Sequence, residues 1–572
     1  MTLSTSSPCS ITVTLHQLLA ASSSDDRHSL QQVFTANMTA SVSELSNQMT
    51  AVQLDAVINI PFQQFCLDSR QLASNDVFVL LKSHTPNCQK SRDHLYQAAN
   101  NAAFILSEID PIALLATANV SPHANLELTK TDNAKSIAQQ QLDTLPCPVL
   151  YIPHIRDFLG SLIQARLQYQ QPVTLPTVIA VTGTNGKTTI SQLVAQLTQL
   201  TGISSAVMGT AGNGRLGALV QASHTTGDAL AVQQFLYQMG TENAELLALE
   251  ASSHGLDQQR LQGMPVSVAI YTNLSRDHLD YHADMAEYAA AKAKLFDKAH
   301  FPDLTHAIIN IDDEHAQIML DTAHASQLIV WTYSLDPSKS ATFVAAEIKP
   351  SLQGVEISLR TDFGDGTMNH LDIVSPLLGR FNVANLLAAM AAAVALGINL
   401  ERIAAIIPQL QGAVGRMQRV PSNDGCFIVD YAHTPDALSQ VLASLKTHCK
   451  GQLWAVFGCG GDRDAGKRPL MAQAGLAGAD KVVLTADNPR TEDPNAILQD
   501  MQAGMSTEQY QRTHIEPARQ AAIEYAVNQA AADDIVVIAG KGHETYQEIN
   551  HVRYDFDDSV ILQNALKQAG RV

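Results

Sequence analysis

The run Val181-Thr-Gly-Thr-Asn-Gly-Lys-Thr-Thr189 carries the residue types that hold a polyphosphate. Its glycines, Gly183 and Gly186, let backbone N–H groups converge on phosphate oxygens. Thr184, Asn185 and Thr189 supply polar groups around them. Lys187 would neutralise the terminal phosphates, and the Thr188 hydroxyl is placed to meet Mg²⁺. The usual phosphate loop keeps a longer gap between its first glycine and its Gly-Lys pair. Here only Thr184 and Asn185 separate Gly183 from Gly186. The apolar run Val178 to Val181 leads in and a helical pattern from Ile190 to Leu200 leads out, so strand, turn and helix N-terminus follow in the order a nucleotide site needs. ATP is the expected ligand.

Three more groups stand where apolar runs end. Leu246-Leu-Ala-Leu-Glu250 leads into Ala251-Ser-Ser-His-Gly-Leu256, and Val268-Ala-Ile-Tyr271 leads into Thr272-Asn-Leu-Ser-Arg-Asp-His278. A carboxylate at Glu250 and an imidazole at His278 could hold a second Mg²⁺ beside the phosphate loop. The plainer alternative is that the serines cap a helix and the histidine is solvated. Lys292, on the Ala-rich stretch Ala289 to Lys294, reads as a solvated charge. A near-neutral lysine could instead add CO₂ and become an anionic carbamate, and its local sequence does not choose. Finally Arg463, Lys467, Arg468, Arg490 and Lys541 fall in loops after apolar runs, where arginine suits bidentate recognition of carboxylate or phosphate.

These residues need strands to end where they begin. Strands are expected at 177–182, 246–250, 267–271 and 307–310, alternating with helical patterns as in a doubly wound parallel sheet. A second such series starts afresh with Cys426-Phe-Ile-Val429, Leu453 to Phe457, Lys481 to Leu484 and Ile535 to Ile538. Ahead of both lie Val77 to Leu81 and Pro148 to Ile152, separated by a polar segment, 114–145, that reads as an insertion or long loop with some helix. The expected organisation is α/β throughout: a small domain over 1–173, a central nucleotide-binding domain over 174–413 and a Rossmann-like domain over 414–572. At 572 residues with 46% hydrophobic content the chain can bury several cores.

The net charge of -19 argues against wholesale nucleic-acid binding and requires local Lys and Arg clusters for anionic substrates. No apolar run reaches the ~20 residues of a membrane-spanning helix. Met1 to Ser24 lacks the basic and apolar regions of a signal peptide. Seven scattered cysteines, Cys9, Cys66, Cys88, Cys147, Cys426, Cys449 and Cys459, suit reduced thiols in a cytoplasm.

From about Leu67 to the C-terminus the chain resembles the Mur ligase family, in its diaminopimelate-adding branch. The shortened Gly-Thr-Asn-Gly-Lys-Thr-Thr loop is that family's form, shared with folylpolyglutamate synthases. The resemblance implies an amide ligase of bacterial peptidoglycan synthesis, working in the cytoplasm and expected to be a monomer. ATP would phosphorylate the D-glutamate γ-carboxylate of UDP-N-acetylmuramoyl-L-alanyl-D-glutamate, and the amine of meso-2,6-diaminopimelate would attack the acyl phosphate. It implies that Lys187, Glu250, His278 and Lys292 are catalytic, that Lys292 is carbamylated (N6-carboxylysine), and that two Mg²⁺ ions are held with Thr188.

For the nucleotide-sugar substrate the matching positions are Leu67, Ser69, Thr225, Thr226, Ser252, Gln258 and Arg260. His224 stands where the family has Asn; both can donate a hydrogen bond. For ATP they add Asn385, Arg416 and Asp430. For diaminopimelate they are Arg463, Asp487, Asn488, Pro489, Arg490, Gly540 and Glu544. Arg490 suits the distal carboxylate that lysine lacks, and Glu544 suits an ammonium. Rival readings are a lysine-adding or recycling Mur ligase, a folylpolyglutamate synthase, a phosphotransferase using the same loop, or an inactive binding paralogue. Retention of Lys187, Glu250, His278 and Lys292 weighs against the last.

Overall fold

The computed structural model describes residues 11–21, 51–83, 88–116, 128–222, 224–275, 277–279, 281–351, 354–364 and 368–572. Cys9 and most of Met1 to Ser24 lie outside them. Three α/β domains follow one another, each built on its own sheet. The first sheet is parallel throughout, in the order β1 (Phe65–Cys66), β2 (Val77–Leu80), β3 (Phe104–Ser107) and β4 (Val149–Tyr151). Within the polar 114–145 segment, Leu128–Asp143 forms a helix that seats Ala138 in this domain's core, while 117–127 lie outside the described residues.

The central sheet has ten strands. They are β5 (Thr177–Thr182), β6 (Ser205–Gly209), β7 (Gly212–Gly214), β8 (Leu246–Glu250), β9 (Val266–Tyr271), β10 (His306–Asn310), β11 (Ile329–Ser334), β12 (Phe343–Ser351), β13 (Gly354–Asp362) and β14 (Met368–Ser375). Their spatial order is β14-β13-β12-β11-β10-β9-β5-β8-β6-β7. Parallel strands covered on both faces are apolar without interruption. β5 shows how one strand feeds two cores: Ile179 and Val181 join one cluster, Val178 and Ala180 the opposite one. The first face is covered by the helices Lys187–Leu200 and Arg380–Ala395. The second is covered by Ala229–Thr241 and Met285–Ala293. Beyond β12 the sheet turns antiparallel, with an irregular register between Ala345 and Glu347.

The third sheet runs β15 (Gln418–Val420), β16 (Cys426–Asp430), β20 (Ile535–Ala539), β17 (Leu453–Phe457), β18 (Lys481–Leu484) and β19 (Thr513–Ile515). Only β15 is antiparallel to its neighbour, so β16, β20, β17 and β18 end on one edge, where ligands of such sheets gather. Among the described residues no helix is long and apolar enough to cross a membrane.

Leu386 is fully buried in the cluster that joins the sheet to Lys187–Leu200. Leu386→Ala should cost about 2–5 kcal/mol through lost transfer energy and a residual cavity. Urea unfolding that follows central-domain fluorescence would register it as an earlier midpoint.

Candidate active site

The phosphate loop lies between β5 and the helix Lys187–Leu200, pressed against the end of β9. Gly183 has φ +149° and a Cβ there would collide with Thr272 Oγ1. Gly186 has φ +89°, and its Cβ would stand 2.6 Å from Asn385 Oδ1. Both positions therefore demand glycine, for conformation and for space. Thr184 N donates to Asn273 O (2.8 Å), Asn185 N to Asn273 Oδ1 (3.0 Å), and Thr272 Oγ1 to Asn185 O (2.6 Å). Gly186 is the N-cap and provides no side-chain cap, so the first helical N–H groups have no side-chain acceptor from it. Lys187 Nζ folds back onto the carbonyls of Gly183 and Thr184, each at 2.9 Å. Burial lowers its pKa, the Glu250 carboxylate opposes that, and the Arg416 guanidinium lowers it further.

Lys292 is not a solvated charge. It is 1% exposed, its Nζ donates to Gly183 O at 2.9 Å and lies 4.4 Å from the centre of the Tyr288 ring. Desolvation, followed by the nearby charge of Lys187, holds its pKa well below the usual lysine range. Burial of this kind favours the neutral, nucleophilic form of the amine over the charged one. Glu250 is buried at the end of β8; its two carboxylate oxygens accept from Thr210 N (2.8 Å) and Thr210 Oγ1 (3.1 Å). His278 is half-buried at φ +54°, its ring 5.9 Å from that of Tyr288. Ser252 does cap the short helix Ser253–Asp257, through Gly255 N at 3.1 Å, as the plainer alternative held.

Thr188 lies in the first turn of the helix that leaves the loop, and Glu250 ends β8, the strand beside β5. Among the described residues no cluster of three His, Cys, Asp or Glu side chains forms a closed metal cage. A hydroxyl and one carboxylate are donors of the kind Mg²⁺ takes, since it completes its shell with phosphate and water.

On the side facing the first domain, His224, Gln258 and Arg260 line a cavity together with Lys82, Arg156 and Asp228. Arg260 NH2 donates to Gln258 Oε1 (2.8 Å) and its NH1 to Thr226 O (3.0 Å). Thr226 Oγ1 bonds Glu250 O (2.8 Å) and accepts from Ser252 N (3.1 Å), and Thr225 Oγ1 meets Thr210 Oγ1 at 3.0 Å. Leu67 is half-buried, while the buried Ser69 hydroxyl is engaged within its own domain by His94 Nδ1 and Gln97, both 2.8 Å.

In the third domain Asp430 is buried, accepting from Met417 N (2.7 Å) and Ala432 N (2.8 Å). Burial raises its pKa and Arg416, which stacks 4.5 Å over the Tyr431 ring, lowers it. Arg490, at φ +50°, anchors one end of its guanidinium on Gly461 O (2.8 Å). Arg463 is exposed and shares the surroundings of Gly460 with Arg490. Asn488 Nδ2 donates to Glu544 Oε2 (2.8 Å), while its Oδ1 accepts from Lys541 Nζ (3.1 Å) and Glu548 N (2.9 Å). Pro489 O crowds Gly461, and a Cβ on Gly540 would stand 2.8 Å from the buried Asp487.

Arg468 is a correction. Expected in a ligand-binding cluster, its side chain is 4% exposed and spent on Glu492 (2.7 Å) and Asp500 (2.8 Å), tying its helix to neighbouring segments. Sequence reading also passed over Thr210, Thr272, Asn273 and Tyr288, which hold the named residues. Thr272 and Asn273 had a signal, their place straight after an apolar strand; Thr210 and Tyr288 had none.

Residues 181–393 match the family model described as the Mur ligase middle domain, and residues 415–542 match that of the Mur ligase, glutamate ligase domain. The chain is 48% identical over 399 residues, 70% of its length and 79% of the relative's, to UDP-N-acetylmuramoyl-L-alanyl-D-glutamate–2,6-diaminopimelate ligase of Pseudomonas aeruginosa. It is 40% identical over 516 residues to the enzyme of that name from Haemophilus ducreyi, covering 89% of this chain and 96% of that one. A solved structure titled with the same name superposes with a TM-score of 0.66 at 42% identity, over 93% of this chain and 99% of that one.

The Gly183 geometry yields a direct test. Gly183→Ala should weaken ATP binding by about a hundredfold, since positive φ and the collision with Thr272 both displace the loop. Nucleotide titration by calorimetry would measure it, with the melting temperature as a check on folding.

Proposed function

The chain belongs to the Mur ligase family, and on that premise we infer that it uses ATP to join meso-2,6-diaminopimelate to UDP-N-acetylmuramoyl-L-alanyl-D-glutamate. The product amide is a peptidoglycan precursor, and we place the reaction in the bacterial cytoplasm, performed by a monomer. The observation that carries the choice of amino acid is the seat of Arg490. One end of its fork is fixed on Gly461 O and its Nε lies 3.9 Å from Glu548 Oε2, and a guanidinium held in place in this way suits capture of a substrate carboxylate. L-lysine would leave the donors meant for the distal carboxylate unused, a mismatch that a polar site penalises.

The residues divide the work as follows. Loop N–H groups of 183–189 and the Lys187 ammonium take the charge of the terminal phosphates, with Arg416 adding charge from the third domain. The D-glutamate γ-carboxylate attacks the γ-phosphorus and ADP leaves. The diaminopimelate amine then attacks the acyl carbon, loses a proton, and inorganic phosphate departs from the tetrahedral centre. Thr188, Glu250 and His278 would hold Mg²⁺, which supplies charge neutralisation at the transferring phosphoryl group. Lys292, buried with its Nζ on Gly183 O, would take up CO₂ as the free amine, releasing a proton and forming a carbamate oxygen ligand for a second ion. His224, Thr225, Thr226, Ser252, Gln258 and Arg260, with Leu67 and Ser69, would hold the nucleotide-sugar peptide. Asn385 and Asp430 would contact ATP. Arg463, Asp487, Asn488, Arg490, Gly540 and Glu544 would hold diaminopimelate.

Three outcomes are expected. Phosphate release from ATP with the UDP-muramoyl dipeptide should require meso-diaminopimelate; release indifferent to that amino acid would sink the reading. Arg490→Ala should raise KM for diaminopimelate about a hundredfold while leaving KM for ATP within about threefold; equal loss of both would remove the carboxylate clasp. Lys292→Ala should retain little activity and regain part of it with added acetate or formate, whereas full unaided activity would show the carbamate to be dispensable.

A further inference from the structure

Beneath the amino-acid loops lies a guanidinium that the reaction scheme leaves unused. Arg519 opens the helix Arg519–Gln529, and its side chain is 0% exposed, as is that of Asp558, its ion-pair partner. Nε and NH2 grip the two carboxylate oxygens of Asp558 at 2.8 and 2.7 Å. The other donors point at main chain: NH2 to Ala539 O at 3.0 Å and NH1 to Ala486 O at 3.3 Å.

Those two carbonyls are well placed to matter. Ala539 ends β20 and directly precedes Gly540; Ala486 follows β18 and directly precedes Asp487. β17 lies between β20 and β18 in the sheet. The two strand ends are thus about 10 Å apart by sheet spacing, and no ladder hydrogen bond joins them. Arg519 bridges that gap. Lys541, also fully buried, ties the same loops through Asn488 Oδ1 (3.1 Å) and Glu544 Oε2 (3.2 Å). A buried ion pair is a poor source of stability beside apolar side chains of similar volume. Its use here lies in what its spare donors hold.

We propose that Arg519 is a positioning residue for amino-acid selection, fixing the separation of the 487–490 loop from the 540–544 loop through the carbonyls of Ala486 and Ala539. That separation sets the distance between Arg490, which takes a carboxylate, and Glu544, which takes an ammonium, on the same distal carbon. The proposal rests on the reading of these loops as the diaminopimelate pocket. A lysine at 519 cannot replace the planar fork, because one ammonium cannot reach Asp558 and both carbonyls at once.

The test compares wild type, Arg519→Lys and the double variant Arg519→Met/Asp558→Leu, which leaves no buried charge unpaired. KM for diaminopimelate, KM for ATP, the preference for diaminopimelate over lysine, and the melting temperature are measured for each. Both variants should raise KM for diaminopimelate about tenfold or more and keep KM for ATP within about threefold, with a narrowed preference over lysine. The double variant should melt within about 5 °C of wild type. Unchanged KM for diaminopimelate in a folded variant, or a parallel rise for ATP, overturns the proposal; so does failure of both variants to fold, which would make the pair a requirement of the core. Wild-type phosphate release that ignores diaminopimelate would instead overturn the reading of the pocket itself. Wild-type dependence with unmoved variants removes only the role of Arg519.

Discussion

The carbonyl oxygen of Gly183 accepts from two lysines, Lys187 Nζ and Lys292 Nζ, each at 2.9 Å. Two amines sharing one acceptor in a desolvated pocket cannot both carry charge cheaply: burial lowers the proton affinity of both, and the charge of Lys187 lowers that of Lys292 further. An anion relieves that tension. A nucleotide phosphate would do so at Lys187, and conversion of Lys292 into a carbamate would do so by reversing its sign. The arrangement is possible only because Gly183 and Gly186 have no side chains, which lets Thr272 and Asn385 approach the loop closely.

Around that centre the candidate site residues are spread over three domains, and specific side chains join those domains. Arg156 binds Glu108 (2.8 Å) and Lys82 O (2.8 Å) in the first domain and Gln258 O (3.1 Å) in the central one. Gln258 in turn holds Arg260, so the joint and the expected sugar-peptide contacts share a residue. On the other side His448 accepts from Gly379 N (3.0 Å) through Nε2, which leaves Nδ1–H to donate to Ser351 O (2.8 Å). That contact seats the third domain at the start of the helix bearing Asn385. Enzymes whose substrates lie in different domains commonly complete their sites by closure, and Arg416 already exerts its charge on Lys187.

Much of the fold was legible because buried parallel strands are written as uninterrupted apolar runs. The strands 177–182, 246–250, 453–457 and 481–484 fall where those runs lie. The edges were legible too, since polar motifs begin where the runs stop. The phosphate loop needed nothing beyond its own residues and neighbours. By contrast 114–145, a polar stretch without a clear period, suggested some helix but not its bounds, because the small buried Ala138 of Leu128–Asp143 leaves a weak pattern.

What the sequence determined by itself was therefore local: strand ends, loop chemistry, and the candidates standing in them. The fates of identical residue types were settled only by tertiary structure. Arg463 is exposed, Arg468 is locked between two carboxylates, Arg490 is anchored on Gly461, and Arg519 is wholly interior, although all four are arginines near the same edge of one sheet. Lys292 looks like a solvated lysine on its own helix and becomes a desolvated amine only when β5, the phosphate loop and Tyr288 close around it. Charge state, partner and direction depend on dielectric and neighbours contributed by segments far away in the chain. No window of sequence contains them.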